Sequence, residues 1–413
     1  VTTQEVPAGQ AEVDFNPMGS PHREDPHLFY RASRARPVEF SPSIGAYMVS
    51  RYADLRTVIE DPGTFSSKVA VPLIYGNPPE VVEALRAGEV PETSMVVNED
   101  EPEHEAMRRV FDAGFTGARV RAMVLRMRER AAELVGAFSG SSADLVGEYA
   151  APFVQTVINA IIGFPAEDDD RVQAWTDDFV LLWNPLAPVD GKVEAAHRMA
   201  DYSRYLQALV EQRRTEPRDD LISDLVHGAN GYPGLPDESV QNIVRGAARI
   251  AGFDTTRDAI TSTMLAMLQH PEVAERVRTD PARTIPKLTE EVLRRDAPHR
   301  GLFRITTRET ELGGTALPAG AMCLLLFGSG NRDENVFPDP DAVDLDRPNV
   351  REHLAFGTGV HVCPGAPMAR AEIRVALETL LYRLPGLRLA DGYEPTYIAS
   401  YFFRGLERLD VTW

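Results

Sequence analysis

The sequence predicts a mainly helical protein with small β-sheets, on three observations. Apolar residues recur at helical spacing from residue 103 to about 285. Strand-like runs are confined to a stretch near the N-terminus, to 301–327 and to the tail. Nothing marks a linker between independent domains, so 1–413 reads as one domain.

Taken in order, the first forty residues are polar and proline-rich up to FYRASRARPVEF, after which AYMVSRYADLRTVIED reads as a short strand feeding a helix. Residues 68–100 mix prolines, glycines and apolar residues without a sustained period. They read as a long, partly helical loop of the kind used as a lid or binding element. The segments EHEAMRRVFDAGF, ARVRAMVLRMRERAAELVGAF, APFVQTVINAIIGF, VEAAHRMADYSRYLQALVEQRR, SVQNIVRGAARIAGFDTTRDAITSTMLAMLQH and IPKLTEEVLRRDA each place apolar residues at i, i+3 and i+4. FRITTRETELGG, AGAMCLLLF and the tail TYIASYFFRGLERLDVTW read as strand-like. No repeat of roughly 20–50 residues is present, which excludes solenoids and propellers.

A net charge of −19 opposes nucleic acid and anionic membrane as partners, leaving a small molecule or another protein. Two cysteines, Cys323 and Cys363, form no disulfide framework and no CxxC zinc pair, which favours a reducing compartment. With no apolar run of signal-peptide or membrane-spanning length, a soluble cytoplasmic protein is expected.

Cys323, between Met322 and Leu324, reads as a small buried hydrophobe. Cys363 stands differently, in HLAFGTGVHVCPGAPMARAEI (353–373). Gly357, Gly359 and Gly365 let backbone approach a ligand closely. A helix starting near Ala366 turns its positive end toward the sulfur, which favours thiolate. His361, two residues away in an extended loop, is not aimed at the sulfur as a base, no zinc spacing is present, and GTGVHV lacks the third glycine of a dinucleotide loop. A lone sulfur ligand amid close backbone suits an iron whose equatorial positions a porphyrin fills.

The stretch Phe356, Gly357, Gly359, His361, Cys363, Gly365 resembles the haem loop FxxGxxxCxG of the cytochromes P450. The resemblance implies that Cys363 is the proximal thiolate and metal ligand, that Phe356 packs beneath the ring, that Gly357 and Gly365 shape the cofactor loop, and that His361 binds a propionate. Glu291 and Arg294 in TEEVLRRDAP, alone an ordinary helical ion pair, resemble the family's ExxR. With Arg347 in DLDRPN they imply a structural lock. In RIAGFDTTRDAI, Gly252, Thr255 and Thr256 lower helix propensity, the mark of a kink or a helix end. The run resembles the family's [AG]Gx[DE]T[TS] segment, which implies a helix bulged over the haem, with Asp254 and Thr255 as the catalytic acid and alcohol that pass protons into an oxygen groove. His104 and Arg108 in EDEPEHEAMRRVF resemble HxxxR of the family and, with Arg304, imply guanidinium and imidazole contacts to the propionates.

The likeness runs from about residue 25 to the C-terminus. It implies the P450 fold, a helix-rich triangular prism with a small β-rich lobe, carrying one haem b and no fused reductase or ferredoxin module. It also implies monooxygenation, with one atom of O2 entering substrate and electrons drawn ultimately from NAD(P)H. RRVFDAGFTGARVRAMVLRMRER sets Arg108, Arg109, Arg119, Arg121, Arg126, Arg128 and Arg130 against Asp112 and Glu129. Near the proximal face, such a basic patch would steer a separate acidic ferredoxin or flavin/iron–sulfur reductase. The tail FFRGLERLDVTW resembles bacterial members acting on alkylated aromatics with FMN/iron–sulfur reductases.

Residues 70–98 and 168–200 are expected to form a lid. Leu182, Trp183, Ala247, Ile250, Ala251, Gly301, Leu302 and Phe403 compose an apolar, partly aromatic pocket for a small-to-medium hydrophobic or aromatic substrate, hydroxylated or oxidatively dealkylated. Arg245, Arg249 and Arg257 are expected to face solvent or partner helices, and His299 or Arg300, if directed inward, would invite an anionic substrate group. Pro364 brings no N–H to the thiolate, which should make the iron harder to reduce. The alternatives are a peroxide-driven or otherwise atypical P450 oxidation, disfavoured by the Asp254–Thr255 pair, and a non-catalytic haem gas-binding protein, disfavoured by the lack of an output domain.

Overall fold

The computed structural model describes residues 15–71, 77–90, 95–184 and 186–413. They divide into two compact units. One takes in the residues up to Ala70, Ala131–Ala150 and Asp254–Trp413; the other takes in Val71–Arg130 and Ala151–Phe253.

The first unit is built on a five-stranded sheet with strands in the order Val38–Ser41, Ala46–Val49, Met322–Leu326, Gly301–Thr306 and Phe65–Ser66. All neighbours are antiparallel except Ala46–Val49 beside Met322–Leu326. The two-residue period of a strand sends alternate side chains to opposite faces. Tyr47, Val49, Cys323 and Leu325 enter one buried cluster, while Ala46, Met48, Leu324 and Leu326 enter another. Both faces are therefore covered, which explains the nearly continuous apolar run that strand 322–326 shows in sequence. Gly301 has a packing reason, because a Cβ there would collide with the carbonyl of Leu325 on the neighbouring strand. Two long helices, Pro281–Arg295 and Ala366–Arg383, pack together in this unit. The first is started by Asp280, whose carboxylate accepts from the Arg283 amide, and by Pro281 in the first turn. Of the tail, only Asp410–Thr412 pairs as a strand, between Arg388–Leu389 and Ser142–Asp144.

The second unit is almost entirely helical. Helices Asp169–Trp183 and Val189–Thr215 pack side by side, and the short helix Pro79–Ala87 lies on the latter. Lys192 is buried and clips three segments: its Nζ donates to Asn77 Oδ1 (3.0 Å) and to the Leu182 carbonyl (3.3 Å) at the end of a helix, where cations are favoured. The region 68–100 contains the helix Pro79–Ala87 and the turn Val96–Asn98, and residues 72–76 and 91–94, which fall within the expected lid, lie outside the described residues, as does 185.

The helix carrying RIAGFDTTRDAI differs from expectation. Its widened, π-type stretch is Ile243–Ile250, and Ala251–Gln269 runs on as regular α-helix through Gly252 and Thr255. The bulge thus lies upstream of the glycine. Gly252 is there for packing: a Cβ would stand 2.7 Å from Ile158 Cδ1 of helix Ala151–Ile162.

Candidate active site

The thiol loop folds as its glycines require. Gly357 and Gly359 take φ of 63° and 69°, a region that favours glycine. The Gly357 amide donates to the Leu354 carbonyl, and the Cys363 amide donates to the Phe356 carbonyl at 2.8 Å, closing the loop on itself. Helix Ala366–Arg383 starts three residues past the sulfur. Cys363 is half-buried and flanked by exposed Val360 and Val362. Cys323, by contrast, is fully buried, and desolvation pushes its thiol up to about 12. The Phe356 ring is covered by the Arg370 guanidinium at 4.6 Å, and Arg370 in turn binds Glu290 (2.6 and 2.9 Å). His361 Nε2 meets Ser67 Oγ at 2.9 Å. Arg304 is buried on the strand opposite Cys323 and donates to the Phe303 carbonyl at 2.7 Å.

Glu291 and Arg294 form no surface pair. Both side chains are fully buried and bidentate, with Arg294 Nε and Nη2 on the carboxylate at 2.9 and 2.8 Å, and Arg347 Nε bonds both Glu291 oxygens at 3.1 Å. The remaining guanidinium donors of the pair reach the carbonyls of Asn331, Pro338, Asp339, Pro340 and Ala342. The cluster thereby pins the irregular chain from 331 to 347.

From Ser239 to Met267 only Ala247, Ala251, Gly252, Thr255 and Arg257 escape full burial. Ala247, Ala251 and Thr255 are four residues apart, so a single line of small side chains along the helix stays accessible, ending in a hydroxyl. Asp254, beside it, is 8% exposed and pairs with Arg257 at 2.9 Å. Arg257 also holds Asp258, a contact that no local pattern announces. Ile250 is buried, as are Arg245 and Arg249, which face partner helices as expected. Arg249 Nη2 donates to Gln173 Oε1 (2.6 Å) and its guanidinium lies over the Phe253 ring, while burial lowers Arg245 to about 10.

In the second unit, His104 is buried with Nδ1 2.9 Å from Glu101 Oε1, and Arg108 Nε donates to Asp112 Oδ1 at 2.6 Å. The basic run on this side is partly neutralised: Arg109 pairs with Glu105, and Arg119 with Asp219 and Asp224. Arg121, Arg126 and Arg128 stay exposed. Leu182 is buried, and the Trp183 ring lies tilted against Phe179 with centroids 5.0 Å apart.

Phe403 and His299 form an antiparallel pair, flanked by the Arg300 amide on the Phe402 carbonyl and the Arg404 amide on the Pro298 carbonyl. Their rings meet edge-on at 5.6 Å on one side of this ladder. Arg300 and Arg404 therefore take the opposite side; Arg300 Nε donates to the Phe403 carbonyl, and Arg404 lies over the Tyr397 ring at 3.9 Å. Desolvation lowers His299 to about 4, so it is neutral at pH 7. Neither group provides a cation on the Phe403 side of this ladder. Leu302, half-buried, packs against the Cys323 cluster.

The cytochrome P450 profile matches residues 76–385. The chain belongs to the cytochrome P450 family. Among its relatives, the mycinamicin IV hydroxylase/epoxidase of Micromonospora griseorubida is 34% identical, covering 89% of each chain. The methyl-branched lipid omega-hydroxylase of Mycobacterium tuberculosis is 32% identical, covering 99% of this chain and 96% of its own. Among solved structures, the P450 CREJ in complex with (4-ethylphenyl) dihydrogen phosphate superposes with a TM-score of 0.89 at 27% identity, over 97% of this chain and 99% of that one. This P450 is thus a monooxygenase, an oxidoreductase with the mainly helical P450 fold and small sheets.

The family implies a haem, and the residues fit one. Among the described residues no group of three or more His, Cys, Asp or Glu is disposed to hold a bare metal ion. Cys363, on a loop of left-handed glycines at a helix start, offers one sulfur and needs the other iron positions filled by a macrocycle. No described helix of this P450 is long and apolar enough to cross a membrane.

Proposed function

We propose that this P450 inserts one atom of O2 into a small-to-medium hydrophobic or aromatic substrate, by hydroxylation or oxidative dealkylation. Electrons come from NAD(P)H through a separate ferredoxin or flavin/iron–sulfur reductase, and the 413 residues act as one domain in a reducing cytoplasm. The observation that carries the reading is the accessible line Ala247–Ala251–Thr255 on an otherwise buried helix, with the carboxylate of Asp254 one residue before Thr255.

A haem b on Cys363 supplies oxygen activation when bound. His104, Arg108, Arg304 and His361 are assigned to its propionates, which are anions suited to guanidinium and imidazole N–H donors. Glu101 and Asp112 then share His104 and Arg108 with them. Small side chains at 247 and 251 leave room for substrate and gas. Thr255 holds a donated hydrogen bond into the groove, and Asp254 reloads that hydroxyl with protons drawn from solvent. Neutral His299 and Phe403 favour an uncharged, partly aromatic substrate. Arg121, Arg126 and Arg128 are exposed and would steer an acidic donor.

The test is twofold. Ferrous haem-loaded protein exposed to carbon monoxide should show the red-shifted Soret band of thiolate ligation, and Cys363→Ala should lose it. Product formed with a reductase and O2, but not with peroxide alone, supports the monooxygenase over a peroxide-driven enzyme. Stable O2 binding with no product from any candidate substrate would instead indicate a gas-binding protein.

A further inference from the structure

Two carboxylates and one guanidinium lie buried together on the groove helix. Asp254 and Asp258 are one turn apart on one face, with Arg257 reaching both. Arg257 Nη1 is 2.9 Å from Asp254 Oδ1, whereas its Nε and Nη2 both lie 2.8 Å from Asp258 Oδ1. Two of these contacts go to Asp258 and one to Asp254. Asp258 is 0% exposed, against 8% for Asp254.

We infer that Asp258 is a positioning residue for proton delivery: by competing with Asp254 for the guanidinium of Arg257, it sets how tightly the relay acid is held. The inference rests on the relay reading of Asp254 and Thr255.

A buried site with two negative charges and one positive charge favours uptake of a proton. The group that takes it is Asp258. Desolvation raises it to about 6, Arg257 opposes the rise and Asp254 adds to it. Its Oδ2 receives no hydrogen bond among the described residues, so the ionised form is poorly solvated. From the C-terminal segment packed against it, only backbone faces the carboxyl: a Cβ on Gly405 would collide with it. The neighbouring Arg404 is turned away to the carbonyls of Arg23 and Glu24 and the Tyr397 ring. On its own helix, Arg257 and Asp254 are the charged groups that act on it. Thr261 Oγ1 donates to the main-chain carbonyls of Arg257 and Asp258 and leaves the carboxyl alone.

With Asp258 neutral, the charge-assisted bonds of Arg257 pass to Asp254, which is then fixed as a carboxylate and slow to accept a proton. With Asp258 ionised, Arg257 is shared, and Asp254 is released to take up and hand on protons. Delivery therefore rises with pH through the Asp258 titration.

The test uses haem-loaded enzyme with its reductase and measures product formed per NAD(P)H oxidised, and the infrared band of protonated carboxyl groups, across about pH 5 to 8. In the parent protein coupling should rise and a carboxyl band fade around pH 6. In Asp258→Asn that band should be missing, and coupling should stay flat and lie roughly tenfold lower at the alkaline end. Arg257→Lys, which keeps the charge but loses the fork, should displace the inflection and provides a second readout if the asparagine variant folds poorly. Persistence of the parent pH profile and band in Asp258→Asn, or an unmoved inflection in Arg257→Lys, overturns the inference. Asp254→Asn separates the two levels. Full coupling in that variant overturns the relay reading and this inference with it, whereas collapsed coupling there beside an unchanged profile in Asp258→Asn overturns the inference alone.

Discussion

Two buried clusters in the same unit are made from the same chemistry and differ in stoichiometry. Around Glu291 one carboxylate meets two guanidinia, Arg294 and Arg347, and the surplus donors are absorbed by main-chain carbonyls. Around Arg257 one guanidinium meets two carboxylates, and Asp258 Oδ2 receives no donor among the described residues. A cluster in which every donor has an acceptor has one stable arrangement and acts as a clamp. A cluster with one guanidinium for two carboxylates, read as proposed for Asp258, changes its arrangement with a proton and so has the form of a switch.

The sharpest way to break this comparison is to remove the charge at the centre of the clamp. Glu291→Gln leaves two buried guanidinia without a carboxylate, and removing one partner of a buried pair costs about 3–5 kcal/mol. Urea denaturation should record a loss of that size or no soluble protein at all. Asp258→Asn should fold and melt at or above the parent temperature at neutral pH, because it removes the surplus charge and leaves the Asp254–Arg257 pair. Equal destabilisation of both variants would mean that the two clusters serve the same purpose.

A smaller effect lies in how stability follows pH, where two acids in this unit have opposite signs. Burial raises Glu290, but hydrogen bonds from Arg370 and His353 outweigh it and hold it at about 2, below its ordinary 4.5. Its contribution is complete above 4.5 and is lost as pH falls toward 2. Asp258 is raised from 3.8 to about 6, so its neutral form adds stability below 3.8 that disappears as pH rises through 6. Melting temperatures should therefore show Asp258→Asn gaining on the parent as pH climbs from 3.8 to 6. Glu290→Gln should gain on its parent only toward the acid limit. An Asp258→Asn difference independent of pH would remove the switch from the comparison.

What the sequence made legible follows from range. Helices and strands announced by a local period appear where that period lies, including the strand and helix in 46–60 and the helix after Cys363. The thiol loop was readable because its glycines and cysteine act within ten residues of one another. Glu291 was readable as one end of an ion pair, but its complete burial depends on carbonyls some forty or fifty positions on, which no local pattern encodes. Gly252 looked like the seat of a kink because its propensity is poor. The structure instead uses it to admit Ile158, and the helix widens earlier, at Ile243–Ile250. Arg257 carried no signal beyond being a charge in an apolar helix. Its role depends on Asp258 being sealed by the backbone of Gly405, nearly a hundred and fifty residues away.

The smallest effect compares the two thiols and bears on electron transfer. Cys323 is held as a neutral thiol by burial, so nothing in its surroundings needs to stabilise a charge. Cys363, as the thiolate ligand proposed for a bound haem, would gain or lose electron density according to how many amide hydrogens reach its sulfur. Its own amide is committed to the Phe356 carbonyl, and Pro364 has none to give. Pro364→Leu restores one donor at the position that follows the sulfur. Charge drawn from sulfur into that bond lowers the electron density at the metal, so a spectroelectrochemical titration of the haem-loaded variant should place its reduction potential above the parent's. The N-terminal amides of helix Ala366–Arg383, the positive end of its dipole, already supply part of that field, which is why the shift should be modest. An unchanged or lower potential would mean that those amides saturate the sulfur, and that Pro364 shapes only the path of the chain.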